Sequence, residues 1–161
     1  MSTRNEADKL VTFRLGDDHF AADIYSVERV LRYAAPTSVP DMPAYIEGVM
    51  DYQGRVVPVV NLRRRFEMPD AEIRTETRTL VLNVAGEWIG IVVDAVTEVA
   101  AFDKKDVAPP PPLFRGLAGE YLKGILRRGN RLVIFLDVDK LLSSTDRIAL
   151  QTAGAEALAH G

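Results

Sequence analysis

Chemistry in this chain would have to come from a short inventory of side chains. There are two histidines, His19 and His160, and no cysteine. Without thiols there are no disulfides, thiolate metal sites or cysteine nucleophiles. A zinc centre needs three or four converging ligands, which two histidines at opposite ends of the chain cannot supply. A serine hydrolase needs a base beside its nucleophile; His19, read here as a turn residue, is the one realistic base, and no Gly-x-Ser-x-Gly elbow occurs. Asp17-Asp18 could act as paired carboxylates, but Gly16-Asp17-Asp18 reads better as the tip of a hairpin. Asp94 closes an apolar strand, where a carboxylate bonds nearby amides. Arg63-Arg64-Arg65 could grip phosphate, and reads better as a solvated helix face. Pro109–Pro112 could serve a proline-reading domain or, more simply, form a stiff connector. There is no Gly-x-x-x-x-Gly-Lys loop and no Gly-x-Gly-x-x-Gly. The expectation is no catalysis, no metal and no cofactor.

The elements that would position these residues occur in two copies. Ile46-Glu47-Gly48-Val49-Met50, a turn at Gln53-Gly54 and Arg55 to Leu62 match Leu122-Lys123-Gly124-Ile125-Leu126, a turn at Gly129-Asn130 and Arg131 to Val138. One offset carries Gly48 onto Gly124, Arg55 onto Arg131 and Asn61 onto Asp137. Upstream, Phe13 to Asp17 leads through Asp23-Ile24 to Val27, much as Leu82 to Gly86 leads through Val93-Asp94 to Val96. Two β-rich halves on one plan suggest a scaffold with paired surfaces.

Along the chain, hairpins are expected over Leu10–Leu15 and Phe20–Ile24, Tyr45–Met50 and Val56–Val60, Thr79–Val84 and Trp88–Val93 (turning at Gly86-Glu87), and Leu122–Leu126 and Leu132–Leu136. Ser26–Tyr33 fits a helical turn running into a strand, and pattern does not choose between the two. Ala34–Pro43 reads as an irregular loop. Pro58 interrupts its strand and should sit on an edge or at a bulge. Short helices are expected at Leu62–Phe66 and Asp137–Leu142, and a final helix near Asp146–Leu158. Phe20 and Trp88 read as core. Val27, Val30, Val96 and Val99 occupy equivalent stretches, as core or as the lining of a groove where the halves meet. The fold class is mainly β, with short strands punctuated by Gly and Pro pointing to barrels.

At 161 residues, 47% hydrophobic and 27% charged, the chain is an ordinary globular sequence. Its net charge of −3 gives no field for nucleic acid. Residues 1–9 read as a flexible polar arm without an apolar signal core, and no apolar run approaches a membrane span, so a cytoplasmic protein is expected.

With those segments in view, the chain resembles the CheW family of chemotaxis coupling proteins from about Leu10 to Leu142. The likeness is carried by Val11–Asp17 with Asp23–Val27, Pro43–Val49 with Val56–Arg63, Gly90–Asp94, and Glu120–Gly124. It implies a single domain over 10–142, made of two interleaved, packed, SH3-like five-stranded β-barrels, followed by a C-terminal helix or tail at 143–161. It implies a non-enzymatic adaptor in the cytoplasm, recruited to membrane-bound receptor arrays. Its partners would be the cytoplasmic tip of chemoreceptors and the regulatory domain of a CheA-type histidine kinase. By that likeness the receptor contact is Val27, Gly48, Gln53, Gly90, Val96 and Val99, with the two glycines letting a partner helix approach the backbone. An exposed surface around Arg32, Tyr33, Ile46 and Tyr52 is the expected kinase contact. The chain departs from the family where Asn-Leu-Arg-Gly is usual and Asp51-Tyr52-Gln53-Gly54 stands instead. The glutamate that usually partners that arginine falls at Arg29, beside Glu28, so a Gln53–Arg29 hydrogen bond is expected in place of a salt bridge. The glycine usual after the strand's aspartate is Ala95 here.

Overall fold

A computed structural model of the chain describes residues 8–114 and 117–142. The first hairpin is β1 (Lys9–Leu15) and β2 (Asp18–Asp23), turning at Gly16-Asp17 with Gly16 at positive φ. A one-turn 3-10 helix over Ile24–Ser26 is capped by the Asp23 carboxylate and leads into β3 (Val27–Arg32), so the ambiguous stretch is turn and then strand. The second hairpin, β4 (Ile46–Tyr52) and β5 (Arg55–Asn61), turns at Gln53-Gly54, both at positive φ as a primed hairpin turn requires. Asn61 accepts the Arg64 amide and starts α1 (Leu62–Arg65). The plan then repeats. β6 (Arg78–Val84) and β7 (Glu87–Val93) turn at Ala85-Gly86, one residue earlier than expected, followed by β8 (Ala95–Ala101), β9 (Val107–Ala108), β10 (Leu113–Phe114) and β11 (Leu117–Ala118). β12 (Leu122–Arg128) and β13 (Arg131–Leu136) close the copy, and Asp137 caps a 3-10 turn over Val138–Lys140. The helix expected near Asp146–Leu158 lies outside the described residues.

The sequence halves are not the subdomains. One sheet has the order β8-β1-β2-β13-β12-β9 and the other β3-β6-β7-β5-β4, six and five strands where five and five were expected. Each sheet therefore takes the first hairpin of one half and the third strand and second hairpin of the other. The joints are repeat-related: β13 runs parallel to β2, and β5 runs parallel to β7. Within this order β5 is an interior strand, against the edge or bulge expected from Pro58. Pro58 lies one residue before the β7 ladder begins at Val59–Gly90.

Each sheet curls around a small cluster of its own. In the first subdomain Leu10, Ala21, Leu126, Val133 and Phe135 are buried together; in the second, Tyr52, Val57 and Val81, with Leu31 from the far-edge strand packed beside them. The largest cluster lies between the subdomains and draws on both, including Phe13, Phe20, Leu62, Phe66, Leu80, Ile91, Ile134 and Leu136. Phe13 stacks on Phe20 at 5.8 Å and Phe20 on Phe66 at 6.0 Å, so the seam is filled with side chains.

Gly48 and Gly124 answer each other in this packing. Each sits at a register shift in its hairpin. The chain crosses Gly48 at Thr37, which bridges to Val49, and crosses Gly124 at Ala108, which pairs with Ile125. A Cβ on Gly48 would collide with the Thr37 carbonyl, and one on Gly124 with the Ala108 carbonyl. The missing Cβ admits the protein's own backbone, not a partner helix. Gly54 differs, because its positive φ favours glycine while nothing lies within reach of a Cβ. Gly54→Ala is expected to cost about 1 kcal/mol, and Gly48→Ala and Gly124→Ala each about 3 kcal/mol or more. Urea unfolding of the three variants checks this; equal losses at Gly48 and Gly54 would remove the crossing as the reason for Gly48.

Candidate protein-interaction surface

Among the described residues, β3 and β8 each close one side of their sheet without a further neighbour, and they are repeat counterparts of one another. Val27 and Val96 begin them, are half-buried and pack against the shared core. Three residues on, Val30 and Val99 are 43% and 57% exposed. Apolar side chains on an unpaired strand are what an aqueous surface ordinarily avoids. Three members of the sequence-derived receptor set, Val27, Val96 and Val99, thus lie on these two edges.

The other three lie elsewhere. Gly48 is buried under Thr37, as above. Gly90 is buried in the middle of the five-stranded sheet, where a Cβ would press on the Thr79 methyl and the end of Met50. Both glycines are required by internal packing, which corrects the close-approach role expected of them. Gln53 is exposed at the tip of the β4–β5 turn at positive φ. Its amide donates to the Tyr52 hydroxyl at 3.2 Å, and among the described residues Arg29 donates no hydrogen bond to it.

The expected kinase contact also divides. Arg32 is exposed at the end of β3, but Ile46 and Tyr52 are 7% and 8% exposed and cannot form an open aliphatic surface. Ile46 belongs to the shared core, and Tyr52 packs edge to face on Trp88 at 5.0 Å inside its own barrel. Tyr33 is half-buried, and its hydroxyl donates to Glu47 at 2.9 Å. Burial, with that bond, pushes its phenol up to about 12. Glu47 also accepts the Asn61 amide at 2.8 Å. These residues border a cleft of about 570 Å3 between the loops that follow β3 and α1, with Met42, Asp70 and Ile73 among its walls.

Of the three consecutive arginines Arg64 is solvent-exposed as expected, while Arg63 and Arg65 are half-buried, and each has a partner. Arg63 makes a two-pronged ion pair with Asp94 at 2.5 and 3.2 Å and donates to the Pro69 carbonyl. Arg64 pairs with Asp70 at 3.1 Å. Arg65 donates to the Leu141 carbonyl at 2.7 Å, and its guanidinium lies 4.6 Å from the Tyr45 ring and 5.1 Å from the Tyr121 ring. Tyr45 and Tyr121 are counterparts under the repeat, and each accepts the amide of the matching cap, Asn61 or Asp137. The spacing of these tyrosines in the duplicated segments was the available signal for this arrangement. Asp94 lies where the chain passes from one subdomain to the other. It accepts the Gly16 amide at 2.7 Å as well as Arg63, matching its reading as a strand-end residue bonding nearby amides. Burial works against its charge, but Arg63 and the Gly16 amide outweigh that and hold the carboxyl below its usual value.

Among the described residues no three His, Cys, Asp or Glu side chains converge on a possible metal position. His19 lies on β2, not in the turn, and among the described residues no serine, threonine or lysine is hydrogen-bonded to it. No helix among the described residues is long and apolar enough to cross a membrane.

The chain matches the CheW-like domain over residues 9–146. It is 33% identical over 150 residues to the chemotaxis protein CheW of Treponema pallidum, covering 91% of this chain and 88% of that protein. It is 34% identical over 141 residues to the protein FrzA of Myxococcus xanthus, covering 86% and 87%. Among solved structures it is similar to the scaffolding protein TtCheW of Thermoanaerobacter tengcongensis, with a TM-score of 0.81, 27% identity, and coverage of 87% of this chain and 90% of that one.

The Asp94 geometry generates a pH signature. A carboxyl that titrates lower in the folded than in the unfolded chain stabilises fully above the ordinary carboxylate range, and that stability is lost as pH falls through the folded value. Asp94→Asn is expected to cost about 1–3 kcal/mol at neutral pH. The gap to the parent should close in the acid limb, below the ordinary carboxylate range. Unfolding curves across pH read this directly, and a gap constant from neutral to acid pH would remove Asp94 as its source.

Proposed function

The chain belongs to the CheW family, and from that premise we propose that this chemotaxis coupling adaptor joins the cytoplasmic tip of chemoreceptors to the regulatory domain of a CheA-type histidine kinase. It acts by binding alone, at membrane-bound receptor arrays that it reaches through its partners. The observation that carries the reading is the pair of open edge strands, β3 and β8, each with an exposed valine beside a half-buried one. An apolar stripe of this kind suits the apolar face of a receptor helix. The receptor contact is centred on Val27, Val96 and Val99.

The kinase contact lies at the other end of β3, on Arg32 and the Tyr33 side of the cleft beside it. Gln53, exposed where arginine is usual in the family, bears on which receptor or kinase the adaptor accepts. An arginine would extend a fixed positive charge from that turn, whereas the amide of Gln53 is turned onto its neighbour Tyr52.

Pull-down of the parent with a receptor tip fragment and, separately, with the kinase regulatory domain tests the proposal. Val99→Glu places a charge on the exposed stripe without entering the core, and is expected to lower receptor capture tenfold or more while kinase capture persists. Arg32→Glu is expected to do the reverse. If both variants capture both partners as the parent does, these surfaces are not the contacts.

A further inference from the structure

The two subdomains share a plan but are finished differently at one end. In the second subdomain the mouth of the barrel is stoppered. Trp88 lies against Tyr52, with Val57 and Val81 buried in the same cluster, and the Arg55 guanidinium covers the indole at 4.1 Å. The repeat carries each of these residues onto a position in the first subdomain. Val81 corresponds to Thr12, Trp88 to His19, Val57 to Val133, Tyr52 to Arg128 and Arg55 to Arg131. Val133 and Arg131 keep their character, while the other three change. In place of the stopper is an open cleft of about 910 Å3, with Thr12, His19, Thr97, Glu98, Arg128 and Arg131 among its walls.

The groups facing this space are polar and carry surplus positive charge. The Thr12 and Thr97 hydroxyls bond one another at 2.6 Å, and the Thr12 hydroxyl also accepts the Glu98 amide. Arg128 donates to the Ala101 carbonyl and stands 3.7 Å from Glu98. Arg131, which has no ring to cover here, has no hydrogen-bond or ion-pair partner among the described residues. Around His19, burial, Arg131 and Arg14 favour the neutral ring, while Asp18 and Asp17 oppose them. A guanidinium presents paired donors that match the oxygens of a phosphate or carboxylate. The space is in the range of small-molecule sites. No aromatic ring other than His19 lines it, so it lacks a platform for stacking a nucleobase.

We propose that the mouth of the first subdomain binds a small organic polyanion bearing phosphate or carboxylate groups, held by Arg131 and Arg128 with the His19 ring beside them. The site adjoins the receptor contact proposed above, since Thr97 and Glu98 lie between Val96 and Val99 on β8, and gives the adaptor a means of responding to a small molecule.

Calorimetric titration of the full chain with inorganic pyrophosphate and with citrate, at about 0.15 M salt, tests this and separates phosphate from carboxylate. One-to-one saturable binding of at least one anion is expected. Arg131→Ala should weaken it tenfold or more, while Arg55→Ala at the equivalent, stoppered mouth leaves it unchanged. In NMR titrations of the parent, the His19 pKa should rise on saturation, because a bound anion favours imidazolium. Arg128→Lys, which keeps charge but loses the fork, provides a second variant and should also weaken binding. Absence of saturable binding, or equal losses in Arg131→Ala and Arg55→Ala, overturns the site. Capture of a glutamate-rich peptide with neither small anion bound overturns the assignment of a small ligand.

Discussion

Neither half of the duplicated sequence can bury its own apolar faces, and the rest of the structure follows from that constraint. The third strand and second hairpin of each half leave their own first hairpin and join the other's, so both sheets are assembled from both halves. The faces that remain meet in one core running from Phe13 through Phe20 to Phe66 and on to Ile134 and Leu136. Dispersion and apolar burial across this seam are contributed by both subdomains. Arg65 sits at the heart of the exchange, between the repeat-related Tyr45 and Tyr121 and bonded to the far end of the other half at Leu141.

The same constraint decides where partners have access. Where Phe13, Phe20 and Phe66 stack, the seam is filled with side chains and gives a helix no entry. The crossings over Gly48 and Gly124 close two further approaches, because the protein's own carbonyls occupy the space. Apolar groups then remain available at strand edges, where among the described residues β3 and β8 each lack a neighbour on one side. For an adaptor this is an economical division, with the interior fixing the geometry and the edges free to diverge.

Where they face the seam the two copies keep apolar character but not volume, since Phe13 answers Leu82, Phe20 answers Ile89 and Phe66 answers Leu142. The barrel mouths face water, and no shared core requires even their character to agree. Trp88 and His19 are therefore free to differ, as are Tyr52 and Arg128, and the molecule presents an aromatic end and a cationic end on the same scaffold.

Much was legible in the sequence because it depends on local periodicity and on repetition. The strand pattern, the turns at Gly16 and at Gln53-Gly54, the short helix after Asn61 and the family itself could be read from residue order. For the proposed contacts, exposure was legible only where it followed from position on a strand, as for Val99 and Arg32. It failed at Ile46 and Tyr52, whose burial comes from elements distant in the chain, and at Gly48, whose neighbour Thr37 is brought there by a loop with no regular pattern. The partners of Arg63, Arg64 and Arg65 were equally hidden, since a charge run looks the same whether it meets solvent or a carboxylate across the fold. Sequence alone determined the two copies of the plan, because apolar spacing and turn residues act over a few positions. Only the tertiary structure decided which copy's strands pair with which, because that choice rests on burying both apolar faces at once, and no single segment carries that information.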